Sequence, residues 1–254
     1  MPLTNTSQRS SLTTPLPTGL KFEFPTQPAP NSPQPSTRVS VSPRSTWSTD
    51  LHWHVTHTEY IKVLSGAALG TINGKSFILR AQDDPKEVPR YARHEWMRFD
   101  RPEELLTNEQ RETQKRWMKE VRDKEVEKLR EVDLVVDEWT DPADGEKEIF
   151  FRNMLSTFQE PGYQRGTGQL LMYLQVLVVM WEGDNFNVML DCQGWKGGWR
   201  RVVEECISYA FMGFVALLGR MVGCRGVNEE YTPPYLVQSW KNRNGAGDAG
   251  RKEL

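Results

Sequence analysis

Between Leu51 and Phe99 apolar and polar residues alternate in short runs, and at Thr107 the alternation stops. Strand side chains face opposite ways with a period of two, whereas a helix repeats every 3.6 residues. The change of period therefore divides the chain into a β part and an α part. The runs EYIKVLSG, LGTINGKSFIL and KEVP are β-branched and broken by turn signals. Asn73-Gly74 predicts a tight hairpin, because both residues tolerate positive φ, and Asp83-Asp84-Pro85 predicts another turn. Upstream, GLKFEF and RVSVS alternate on either side of the proline-rich TQPAPNSPQPSTR.

Thr107 with Gln110 forms a capping-box pattern that opens a charged helix running to about Val132. Its Trp117, Met118, Val121, Leu129 and Val132 share one face. EVDLVVDEW returns to strand, DPADGE is a loop, and EKEIFFRNMLSTF is a helix with Phe150, Phe151, Met154, Leu155 and Phe158 on one side. Two later segments, LLMYLQVLVVMW (170–181) and ISYAFMGFVALLG (207–219), are apolar around most of their circumference. Both fall short of the roughly 20 residues that span a bilayer. Two readings stay open for them. They are buried helices covering the domain, or a peripheral membrane contact flanked by Arg200, Arg201 and Arg220.

A net charge of −2 over 254 residues, with no basic face, argues against a nucleic-acid partner. Three cysteines (Cys192, Cys206, Cys224) at wide spacing argue against a disulfide framework and for a reducing, intracellular, cytoplasmic setting. The N-terminus lacks the apolar stretch of a signal peptide. Residues 1–18, rich in Ser, Thr and Pro, are expected to be a disordered tail. The domain reading is a barrel over 19–140 with the helical insertion at 107–132, a helical region over 141–235, and a flexible tail over 236–254. The WKGGW stretch (Trp195 to Trp199) is read as a surface-anchored loop, with an aromatic binding loop as its rival.

Three of the chain's four histidines lie within six residues, in HWHVTH, and the fourth is His94. On a strand His52 and His54 share a face and Trp53 points the other way, outside a barrel. If VTHT turns the chain, Glu59 opens the next strand and faces inward with Ile61 and Val63, and Gly66 closes it. His94, after Pro89, lies on a strand crossing back. His52, His54, Glu59 and His94 then form a set suited to one divalent transition metal: Fe, Mn, Ni, Cu or Zn. The rival is a metal-free barrel using the same imidazoles for hydrogen bonds. His57 sits in the presumed turn, at the surface or supporting a ligand. Other motifs fail: Arg98 occupies the second histidine position of HExxH, and Leu69 the first glycine of a phosphate loop.

The pattern His52-x-His54-x4-Glu59-x6-Gly66, followed by Pro89-x4-His94, resembles the two signature motifs of the cupin superfamily. Four accessory positions depart from it: Thr46 and Asp83 where each motif opens with Gly, Tyr91 for the Gly after the proline, and Arg98 for the terminal Asn. The likeness covers about residues 38–100, and more loosely 20–140. The remainder, with FFRNMLSTF and EEYTPPY, is similar to uncharacterised cupin-containing proteins of filamentous fungi. The resemblance implies a mainly β fold with helical additions (α+β): a small jelly-roll-like barrel, the inserted helix and apolar C-terminal helices. It implies an oxygenase, isomerase or cyclase acting on a small oxygenated molecule in specialised metabolism, or else a non-catalytic binding module. Tyr91, Arg93 and Arg98 are expected near the mouth, orienting an anionic group. A homodimer is expected through edge strands, with GLKFEF crossing to the partner.

Overall fold

The structure is a computed structural model that describes residues 3–15, 17–24, 36–192 and 199–249. The WKGGW reading falls outside these except for Trp199. Eleven strands form among the described residues: β1 (Ser11–Thr13), β2 (Leu20–Glu23), β3 (Thr37–Val41), β4 (His52–Trp53), β5 (Thr58–Ser65), β6 (Ala67–Ile72), β7 (Lys75–Arg80), β8 (Lys86–Val88), β9 (His94–Arg98), β10 (Leu134–Asp141) and β11 (Phe186–Asn187). They make two antiparallel sheets, ordered β1-β2-β3-β10-β5-β8 and β11-β4-β9-β6-β7. Alternate residues bury, as in β5, where Glu59, Ile61 and Val63 turn inward. Val39, Val41, Val136, Ala68, Leu79 and Trp96 complete the shared interior.

The turns follow the local chemistry. Asn73 and Gly74 both take positive φ between β6 and β7. Gly66, at φ +77, lets the chain leave β5, and a Cβ there would stand 2.9 Å from Leu134 Cα. Trp53 points out of the barrel and packs with Phe186 and Met212.

The helices are α1 (Asn108–Glu120), α2 (Asp123–Glu131), α3 (Glu146–Gln159), α4 (Thr167–Glu182), α5 (Arg200–Met221) and α6 (Pro234–Ala249). The capping box forms as expected, with Thr107 and Gln110 bonding reciprocally. The single insertion helix does not: Val121 and Arg122 are extended and split it into α1 and α2. The apolar stripe survives the break, because Trp117, Met118, Val121, Val126 and Leu129 pack on Ala67, Phe99 and Ile78.

Two tail expectations are corrected. Residues 3–15 are not a disordered tail, since Thr6 and Ser7 donate backbone N–H groups to Glu230 O and β1 pairs with β2. Within this chain β2, from GLKFEF, is hydrogen-bonded on both sides, to β1 and β3. Residues 236–249 belong to α6 rather than to a flexible tail; Leu236 and Val237 are buried.

The apolar segments prove two-sided. On α5 a stripe of Glu204, Ser208, Met212, Ala216 and Gly219 is buried. The opposite side leaves Val202, Phe211, Phe214, Leu217 and Met221 exposed, Met221 at 75 %. Among the described residues α5 alone is long and apolar enough to cross a membrane, and 28 % of that stretch is buried. On α4, Val176, Val178 and Val179 are buried while Leu170 and Tyr173 are exposed.

Candidate metal centre

The antiparallel register sets His52 of β4 opposite His94 of β9. Glu59 enters from β5 in the facing sheet, and His54 follows β4 directly. All four are buried, and one ligand atom from each lies within 4.8 Å of the others. Glu59 Oε2 stands 2.9 Å from His54 Nε2 and 2.8 Å from His94 Nε2.

The far side of each ring decides what that closeness means. His52 Nδ1 lies 2.8 Å from Asp50 O, His54 Nδ1 2.5 Å from Asp184 O, and His94 Nδ1 2.9 Å from Ala92 O. A carbonyl only accepts, so each Nδ1 carries the proton it donates. In a neutral imidazole the Nε2 is then a lone-pair atom. Burial, followed by the neighbouring imidazoles, pulls His52 well below its usual value, and burial lowers His54. Three ring nitrogens and a carboxylate oxygen thus face one another inside the barrel, and a positive charge among them, a proton shared with Glu59 or a metal ion, completes them. Backbone-fixed imidazoles are how proteins orient histidine toward metal ions. The donor set fits one transition-metal ion.

A cation already touches the rim of this group. Lys147, on the first turn of α3, places Nζ 2.7 Å from Glu59 Oε1 and 3.3 Å from Glu138 Oε2. Burial opposes the Glu59 charge, but Lys147 and the two imidazoles hold it well below the usual carboxylate range. Burial would lower Lys147, yet Glu138 and Glu59 raise it. Glu138 is pushed by burial up to about 7. These groups and His52 form the floor of a cavity of about 310 Å3.

Asp184 organises the ligand-bearing turn. Its carboxylate accepts from the backbone N–H groups of Val55, Thr56 and His57, and from Thr56 Oγ1. His57 is buried rather than at the surface, with Nδ1 2.9 Å from Asp184 and Nε2 3.3 Å from Asp144. Burial works against its charge, but the hydrogen bonds to Asp144 and Asp184 raise it to about 9. Burial likewise opposes ionisation of Asp144, which His57 and Arg243 outweigh, taking it to about 2. Arg243 of α6 pairs with Asp144 and Glu146, so His57, Asp144 and Glu146 form an ion-pair web.

The three residues expected to orient substrate lie elsewhere, and none lines the cavity. Arg98 is spent on structure: its guanidinium bonds Asp100 and the carbonyls of Val41, Leu129, Arg130 and Val132. Arg93 pairs with buried Glu204, tying β9 to α5. Tyr91 is 46 % exposed, at φ 62. At the position where the resembling motif has glycine, it therefore holds the left-handed conformation that glycine favours. Its N–H donates to His54 O at 2.7 Å, and its carbonyl accepts from Arg201. Lys147, Glu138 and Asp184 were missed. The burial of Lys147 has no local signal in EKEIFF, and the long sequence separation of the others hides their contacts.

The two facing antiparallel sheets, with candidate ligands drawn from β4, β5, β9 and the turn after β4, form the kind of barrel that the resemblance to cupins implies. No protein-family model matches the chain, and no curated protein does. Among solved structures it is similar to the capsular polysaccharide assembling protein CapF from Staphylococcus aureus, at 12 % identity over 51 % of this chain and 29 % of that one, TM-score 0.31. The chain thus spans less than a third of CapF's length. It is also similar to the cupin domain of Schizosaccharomyces pombe Cnp3, at 12 % identity, 51 % and 70 % coverage, TM-score 0.29. A further likeness is to KdgF from Halomonas sp., at 13 % identity, 55 % and 94 % coverage, TM-score 0.32.

Proposed function

We propose that the protein is a mononuclear-metal enzyme in which His52, His54, Glu59 and His94 hold one divalent transition ion beside the cavity. The observation that carries this reading is the convergence of three imidazoles and one carboxylate within 4.8 Å of one another, each ring fixed from behind by a carbonyl. The ion would supply a Lewis acid or, if redox-active, a centre for dioxygen chemistry. The chain's own groups do the rest. Lys147 holds the second oxygen of Glu59 and so orients the carboxylate. Phe150, Phe151 and Leu155 keep the cavity wall apolar. Glu138, near 7, can hold or release a proton at a buried oxygen. The reaction class that fits is oxygenation, isomerisation or cyclisation of a small oxygenated molecule. The fungal likeness of FFRNMLSTF and EEYTPPY supports a place in specialised metabolism.

One contact favours a second reading. The Lys147 ammonium already serves Glu59, as it would in a metal-free barrel acting as a non-catalytic binding module. Elemental mass spectrometry separates the two. The enzyme reading expects near-stoichiometric iron, manganese, nickel, copper or zinc in the purified protein, and its loss in a His52→Ala/His94→Ala double variant. No metal after anaerobic reconstitution, with uptake appearing only in Lys147→Met, would establish the second.

A further inference from the structure

The cavity has two unlike ends. Its floor is His52, Glu59, Glu138 and Lys147; aromatic and thioether side chains, among them Trp47, Phe150, Phe151 and Phe158, form its walls. Lys147 stands at the boundary, its Nζ 5.2 Å from the Phe151 ring centroid. Beside it, Glu138 is 1 % exposed and its two oxygens are held unequally. Oε1 accepts from Trp96 Nε1 at 2.6 Å, whereas Oε2 is buried without a hydrogen-bond partner, 3.3 Å from Lys147 Nζ. Paired with one cation, that oxygen keeps a lone pair for a further donor. The floor therefore sets an ammonium donor and a carboxylate acceptor side by side. A ligand carrying an acceptor and a donor on adjacent carbons meets both.

Charge decides which acceptor. With a divalent ion on the imidazoles, the ion and Lys147 carry three positive charges against one negative charge on Glu59 and at most one on Glu138. At least one positive charge is left over in a largely buried site, where an anion is favoured. Asp50, at the rim, is exposed and has Arg101 as counter-charge. The walls ask for a flat apolar body, and about 310 Å3 lies at the small end of ligand sites.

We propose that the cavity takes an aromatic 2-hydroxy carboxylic acid, with its carboxylate on Lys147, its hydroxyl donating to Glu138 Oε2, and its ring against Trp47, Phe150 and Phe158. This rests on the metal-centre reading, because the charge excess requires the ion.

The test is calorimetric binding to the full chain loaded with Zn2+, its zinc content measured first. The probes are mandelate, phenylacetate (no hydroxyl) and mandelamide (no charge). Mandelate should bind at least about tenfold more tightly than either, the scale of one buried charged hydrogen bond. Lys147→Met should erase the preference over mandelamide. Met154→Trp, which fills the wall and leaves the floor untouched, should abolish binding of all three at unchanged zinc content. It decides the matter even if Lys147→Met does not fold. Equal affinities, absent binding, or binding that survives Met154→Trp overturns this assignment alone. Failure to take up zinc overturns it together with the metal-centre reading.

Discussion

The barrel and the α4–α5 pair both bury polar side chains, but only the pair leaves a row of large apolar ones exposed. In the barrel, polar side chains turn inward: three imidazoles, Glu59 and Glu138 occupy an interior walled by valines and aromatics. In α5 polar Glu204 and Ser208 are buried, while Phe211, Phe214, Leu217 and Met221 face out. The inward polar groups of the barrel nearly all have partners, which offsets their desolvation. The outward apolar groups of α5 have none to lose, and they add nothing to the fold. Hydrophobicity of a segment thus fails to say which side is inside. The partner on each face does.

Four outcomes break or sharpen this contrast. The largest is Asp184→Ala. It strands three backbone donors and a buried histidinium, and should cost about 3–5 kcal/mol. Urea denaturation measures it, and a loss below about 1 kcal/mol would show the turn to be held by something else. Next is acid. Asp144 sits at about 2 in the folded protein against 3.8 ordinarily, so its contribution is whole above about pH 3.8 and disappears as pH falls through about 2. That amounts to on the order of 2 kcal/mol. Asp144→Asn should lack this slope; an unchanged slope would move the acid sensitivity to another group.

Smaller still is Tyr91→Gly. Relieving a left-handed non-glycine residue should stabilise by about 1 kcal/mol, seen as a higher melting temperature. A lower one would mean that the Tyr91 ring packs usefully. Least of all is Phe214→Ser with Leu217→Ser on the outward side of α5. Stability should stay within about 0.5 kcal/mol while solubility rises. A large destabilisation would erase the distinction between the two regions.

The convergence of His52, His54, Glu59 and His94 was legible because HxH, Glu59 and His94 carry their spacing with them, and period-two alternation already told which of them share a face. The hairpin at Asn73-Gly74 and the cap at Thr107 were legible for the same reason: their chemistry is local. Tyr91 departs from the glycine of the resembling motif, yet the backbone there takes the left-handed conformation that glycine favours. The inward course of Lys147 and Glu138 was not legible. A lysine between two glutamates in EKE reads as solvated, and only the docking of α3 on the sheets turns it in. The arginines misled because guanidinium donors near a motif suggest a substrate, whereas Arg98 is consumed by four carbonyls and a carboxylate.

Asp184 lies between α4 and β11, 130 residues beyond the imidazole its carbonyl holds. A chain cut after β10 would keep all four ligands and every motif position. It would lose the carbonyl behind His54, the clamp on the 55–57 turn, and Lys147. The helical annex is therefore part of the candidate site's construction. Grafting the barrel alone onto another scaffold, or swapping its helices for those of a relative, transplants the ligands without the means of aiming them.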